Sequence, residues 1–242
     1  MITKSVVKDI QSLAGKKYRD QAGLFLAEGP KLVKELLRDC SHSIKAIYAL
    51  ESWIQQNQIV NSSIQVTLVT PAELERLSQL TTPHEVLAVV SKFPISPLQI
   101  DKGLTLVCCG IQDPGNFGTI LRTADWFGVR QLVCSPDTVD VYNPKVVQAT
   151  MGSIARLAVH YMDLDPWLNE QEVPIYAAIL NGQSVYEINR SQSGILLIGN
   201  EAKGVPASLL TKKVTGITIP KIGEAESLNA AVATGILLSW LS

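Results

Sequence analysis

Residues 104–129 read LTLVCCGIQDPGNFGTILRTADWFGV. The apolar run at 104–111 fits a buried strand that stops at Asp113-Pro114-Gly115-Asn116, after which Ile120, Leu121, Ala124 and Phe127 recur at helical spacing. The turn has a physical cause: Pro fixes φ, Gly takes positive φ, and Asn or Asp side chains bond nearby backbone N–H groups. A helix N-terminus offers unpaired N–H donors and a partial positive charge. Arg122 follows about one and a half turns into that helix, near its mouth. On this stretch alone two readings stay open. One is a site for an anion or ribose-phosphate; the other is an ordinary strand, turn and helix with a surface arginine.

Outward from this stretch, the pattern alternates strand and helix, as in a mostly parallel sheet with helices on its faces. A strand is expected at 131–134, then a helix capped by Asn143 with Pro144 at its first position, and strands at 157–161 and 175–180. Residues 194–205, GILLIGNEAKGV, read as a buried strand running into a Gly-Asn-Glu turn. GITIPKIGEAESLNAAVATGILLSWLS then ends the chain as a short strand, a polar loop and an apolar helix. Upstream, a short helix ends at Gly15, and strands are expected at 23–29, 44–50, 64–70 and 85–93. A helix starting at Pro30 and another after Thr70-Pro71 lie between them. The chain is thus expected to be an α/β protein with domains at 1–95 and 104–242, joined by a linker at 96–103.

With 242 residues, 46% hydrophobic, the chain suits a packed globular protein rather than a disordered one. No apolar run reaches membrane-span length, and the N-terminus lacks the apolar core of a secretory signal, so no membrane partner and a cytoplasmic location are expected. Cys40, Cys108, Cys109 and Cys134 show no zinc-ligand spacing. No metal site is expected, and Cys108 and Cys109 read as buried thiols. A net charge of −1 advertises no nucleic acid. The distribution is uneven, however: Lys4, Lys8, Lys16, Lys17 and Arg19 precede every acid but Asp9. That patch, with Tyr18 inside it, is either a solvated helix face or an RNA contact.

Three segments share one design, a strand ending in a polar turn: DPGN, GNEAKG and PKIGEAESLN. In an open parallel sheet such ends are where ligands bind. Gly110, Gly115 and Gly118 fail the dinucleotide-binding interval, and no phosphate-binding GxxxxGK[ST] loop is present. DPGNFGTILRTADWFG, LLIGNEAKGV and IPKIGEAESLNAAVATGILL resemble, in order and spacing, the three motifs of the SpoU (TrmH-like) RNA ribose 2′-O-methyltransferases of the SPOUT class. VKDIQSLAGKKYRDQAGLFLAEGPKLVKELL resembles the α/β substrate-binding domain that precedes the catalytic domain in many rRNA members.

The resemblance implies a C-terminal parallel-sheet SPOUT domain with a deep trefoil knot, preceded by a smaller RNA-binding domain. It implies S-adenosylmethionine as methyl donor, structured RNA as partner, with large-subunit rRNA favoured, and a homodimer. A tRNA 2′-O-methyltransferase and a non-catalytic RNA-binding protein on the same fold are the alternatives. Carried onto this sequence, the catalytic positions are Asn116, Arg122, Glu201, Ser227 and Asn229. The cofactor positions are Leu197, Ile198, Gly199, Ile219 and Leu228. Lys16, Lys17, Tyr18 and Arg19 are the expected RNA contacts. The family casts Arg122 as proton acceptor, yet a guanidinium stays protonated under ordinary conditions. Its expected role here is to clamp a phosphate, with water or phosphate taking the proton.

Overall fold

The computed structural model describes residues 2–189 and 193–242. It divides into two compact units: residues 1–94 with 140–155, and residues 95–139 with 156–242.

In the first unit, helices α1 (Lys4–Ser12) and α2 (Lys16–Ala22) lead into β1 (Leu24–Glu28), followed by α3 (Pro30–Cys40), β2 (Ile44–Ala49), α4 (Glu51–Gln56), β3 (Gln65–Leu68), α5 (Pro71–Leu77) and β4 (Val86–Ser91). The strands order as β1-β4-β2-β3, with β2 and β3 parallel and the other pairs antiparallel. Local chemistry sets the helix starts. Thr3 caps α1, and Thr70 and Glu73 form a reciprocal capping box on α5 with Pro71 at its first position. Helix α3 starts at Pro30 behind Gly29, whose φ of +97° only glycine takes readily. Its Leu32, Val33 and Leu36 are buried.

Helix α2 carries the charged patch, one of whose two readings is a solvated helix face. It separates the four residues assigned to RNA. Lys16, Lys17 and Tyr18 are exposed. Arg19 is 2% exposed, and it corrects the expectation of a phosphate contact. Its guanidinium donates to the carbonyls of Leu13 and Ala14, at 2.9 and 2.6 Å, and to Asp140 Oδ2 at 2.7 Å.

Asp140 belongs to the returning segment 140–155, which carries a short helix, α7 (Pro144–Thr150), capped by Asn143. Within this unit the Tyr142 ring packs on Phe25, centroids 4.9 Å apart, and its hydroxyl accepts the Phe93 N–H at 2.9 Å. Val146, Val147 and Thr150 are buried.

The second unit holds a six-stranded sheet: β5 (Leu104–Cys109), β6 (Gln131–Cys134), β7 (Ala158–Tyr161), β8 (Ile175–Ser184), β9 (Gly194–Gly199) and β10 (Val214–Thr218). Its order is β10-β8-β9-β5-β6-β7, every pair parallel, which meets the expected α/β architecture. Three helices accompany it: α6 (Pro114–Trp126), α8 (Leu164–Asn169) and α9 (Ala230–Leu241), with α6 and α9 packed together. The core includes Val107, Val133, Ala177, Ile195 and Leu197. Cys108 and Cys109 are buried thiols outside any disulfide, as expected.

Strand β8 runs past its expected end, and its pairing jumps. Gly216 lies opposite Ala177 but Ile217 lies opposite Gln183, so residues 178–182 are extruded from the ladder. The crossing needs glycine. A Cβ on Gly182 would sit 2.6 Å from the Gly216 backbone, and one on Gly216 would sit 2.3 Å from Ile179 Cδ1.

Candidate active site

The three polar turns meet at the carboxyl ends of β5, β9 and β10. At β5, Asp113 caps α6, its Oδ1 accepting the Asn116 N–H at 2.7 Å. This places the Asn116 side chain in the first turn. At β9, the chain doubles back so tightly that a Cβ on Gly199 would lie 2.1 Å from the carbonyl carbon of Gly204, itself at φ +67°. Asn200 holds this turn. Its Oδ1 accepts from Ala202 and Lys203 N–H, at 2.9 and 3.2 Å, and its Nδ2 donates to the Gly110 carbonyl at 2.8 Å. Sequence reasoning missed Asn200, although an Asn directly after a strand-ending Gly is a recognised turn former. At β10, residues 221–229 run exposed until Asn229 caps α9, accepting from Ala231 and Val232 N–H at 2.9 and 3.3 Å.

One hydrogen-bond chain joins the three turns. Asn229 Nδ2 donates to Asn116 Oδ1 at 2.8 Å, and Asn116 Nδ2 donates to Glu201 Oε1 at 2.5 Å. Three of the five catalytic candidates, separated by 85 and 113 residues in sequence, are thus in direct contact. Ser227 lies in the same exposed loop. Arg122 is exposed on α6 and makes no hydrogen bond or ion pair among the described residues.

Beside this chain lies a cavity of about 690 Å³. Four cofactor candidates line it: Ile198, Gly199, Ile219 and Leu228, together with Glu201 and Ser227. Leu197 does not; it points into the core beside Val107 and Ala177. Sequence reasoning missed Ile179 and Leu180, which reach the cavity only because residues 178–182 leave the β8 ladder. A second cavity, beyond β5 and β6 where a dinucleotide site would be sought, measures only about 180 Å³. Small-molecule sites typically occupy about 300–1,000 Å³, so of these two cavities the one beside the polar chain, and not the dinucleotide position, has the size of a nucleoside cofactor. Among the described residues no group of three or more His, Cys, Asp or Glu side chains is placed to hold a metal, and no helix is long and apolar enough to cross a membrane.

Residues 103–239 match the SpoU rRNA Methylase family and residues 4–88 the MRM3-like substrate binding domain. The chain belongs to the SpoU rRNA methylase family. It is 34% identical over 239 residues to the Bacillus subtilis 23S rRNA (guanosine(2553)-2′-O)-methyltransferase RlmP, covering 97% of this chain and 95% of that one. Among solved structures, a protein from Porphyromonas gingivalis described as of the TrmH RNA methyltransferase family superposes with a TM-score of 0.88. The two are 35% identical over 100% of this chain and 98% of the other. The AdoMet-bound rRNA methyltransferase of Sinorhizobium meliloti gives 0.85 at 30% identity, over 100% and 95%. Relationship to this family places its SpoU segment over all three turns and the larger cavity.

Proposed function

We propose that this protein transfers a methyl group from S-adenosylmethionine to a ribose 2′-hydroxyl of large-subunit rRNA. The observation that carries the reading is the Glu201, Asn116 and Asn229 chain at the cavity edge, since it gathers polar groups from all three turns around one point. The cavity fits the cofactor in size, its apolar wall of Ile198, Ile219 and Leu228 suits an adenine ring, and its strand-end turns offer backbone groups. When bound, S-adenosylmethionine supplies a methyl already activated by the sulfonium charge, so the protein's task is orientation and proton removal. Arg122, whose donors meet no protein acceptor among the described residues, clamps a substrate phosphate. Ser227 positions cofactor or ribose from the cavity wall.

Further parts of the reading rest on fold features. Lys16, Lys17 and Tyr18 on α2 serve RNA binding, the lysines meeting phosphates and the tyrosine stacking on an unpaired base; Arg19 does not join them. The glycine-only crossing of Gly182 and Gly216 supports a knotted path for the C-terminal segment. Trp126 on α6 is 84% exposed and Val232 on α9 51%, an apolar face that suits a homodimer interface built from these two packed helices. A cytoplasmic location fits an rRNA substrate.

The test is a map of ribose methylation across total RNA from cells with and without the protein. Loss of one large-subunit rRNA methylation supports the reading, loss at a tRNA position moves the substrate, and an unchanged map overturns it.

A further inference from the structure

We propose that Oε2 of Glu201 takes the proton of the ribose 2′-hydroxyl, with Asn116 and Asn229 acting as positioning residues that dedicate this oxygen to the task. The proposal rests on the methyltransferase reading above. Its logic starts at the N-terminus of α9, where the N–H groups of Ala231 and Val232 can only donate, so Asn229 must turn its Oδ1 toward them. The Asn229 Nδ2 then faces Asn116, which must present Oδ1. That in turn aims Asn116 Nδ2 at Glu201 Oε1. Flipping either amide would set donor against donor, so both orientations follow from the backbone and not from a choice of assignment. Oε1 is therefore bound to accept. Oε2 has no partner among the described residues, and of the three side chains only Glu201 lines the cavity. Among the described residues the network leaves Oε2 unpartnered on a side chain that lines the cavity, and one unspent N–H on each amide.

Those vacancies match a hydroxyl. Its hydrogen goes to Oε2, one oxygen lone pair accepts the remaining Asn116 N–H, and the second lone pair is left for the methyl carbon. As the O2′–C bond forms, the C–S bond breaks with its electron pair kept by sulfur. The O–H pair stays on O2′ and the proton passes to Oε2. A neutral hydroxyl that gained a methyl without losing its proton would become a protonated ether, a strong acid, so a carboxylate is basic enough to receive it. Arg122 has no free lone pair for the purpose.

Glu201→Gln tests this directly, because its carbonyl oxygen still accepts from Asn116 while an NH₂ replaces Oε2. The thermal midpoint and S-adenosylmethionine affinity are expected to hold within about twofold of wild type for affinity and a degree or two for melting. Single-turnover methylation of a short RNA carrying the mapped site should fall about 10²–10⁴-fold, the usual worth of a general base. A second readout involves no chemistry. Wild type should bind that RNA with a 2′-hydroxyl about tenfold or more tighter than the same RNA with 2′-hydrogen, the worth of a hydrogen bond to a charged acceptor. Glu201→Ala should lose that preference and regain turnover when formate is added. A Glu201→Gln enzyme within threefold of wild type, or a Glu201→Ala protein that keeps its 2′-hydroxyl preference, overturns the proposal. Wild-type protein that methylates no RNA at all overturns instead the reading on which it stands.

Discussion

Replacing Arg19 by alanine is expected to destabilise the first unit by about 3–5 kcal/mol, the range for removing one partner of a buried ion pair. The side chains of Arg19 and Asp140 are 3% and 13% exposed, and their contact is 2.7 Å. Removing the guanidinium strands the Asp140 carboxylate with little water to reach it. It also releases the carbonyls of Leu13 and Ala14, which follow α1 and have Arg19 as a donor. Against a typical total of about 5–15 kcal/mol, such a loss is a large share of stability. Because two compact units need not unfold together, hydrogen exchange resolved to residues 4–28 and 140–155 is the assay of choice, backed by urea unfolding. Asp140→Asn should soften the effect of Arg19→Ala in a double-mutant cycle, because it removes the charge left behind. A change below about 1 kcal/mol for Arg19→Ala would refute the claim that this buried pair holds the segment 140–155 in its unit. RNA binding separates the same residue from its neighbours. Lys17→Ala should lower the salt slope of RNA affinity by about one phosphate contact without altering stability. Arg19→Ala under conditions where it stays folded should leave that slope unchanged.

Gly199→Ala would drive a Cβ to 2.1 Å from the Gly204 backbone, so calorimetry should show S-adenosylmethionine binding abolished; retained affinity would mean the turn can open. Trp126→Glu should convert a dimer to monomers in light scattering, and an unchanged mass would remove this face from the interface. The Glu73 carboxyl is held at about 2, below its ordinary 4.5, by the N–H groups of Thr70 and Ile2 and then the Thr70 hydroxyl. A carboxyl lowered on folding contributes stability above its unfolded value, and that contribution is lost as pH falls from about 4.5 through about 2. Carbon-13 NMR should find Glu73 titrating near the lower limit and Thr70→Val moving it up; titration at an ordinary pH in the wild type would contradict the capping box. A chain beginning at residue 96 should aggregate, since it retains Tyr142, Val146, Val147 and Thr150 without the partners that bury them.

The parts of this molecule that were legible in its sequence are those decided within a few residues. The turn at Asp113 to Asn116, the capping box at Thr70 and the Asn143-Pro144 helix start all follow from side chains bonding their own backbone. What escaped depends on contacts between distant residues. Nothing local tells that Asp140 meets Arg19, 121 positions away, or that a helix between two sheet strands is buried in the other unit. The extrusion of residues 178–182 is marked locally only by the Asn181-Gly182 turn dipeptide, and its length shows only in the register with β10. One miss was avoidable. Successive strand side chains face opposite sides, so the Leu197 and Ile198 side chains in β9 point away from each other. The same rule, applied to the core, assigns Leu197 to the sheet face of Val107 and Ile195, and leaves Ile198 to the cavity. The polar chain was half legible in the same sense. Each of Asn116, Glu201 and Asn229 sits at a strand-to-helix or strand-to-loop turn, where a fixed backbone dictates side-chain direction. Because the donors of α9 are fixed first, the orientation of both amides in the chain is a consequence of where a helix begins.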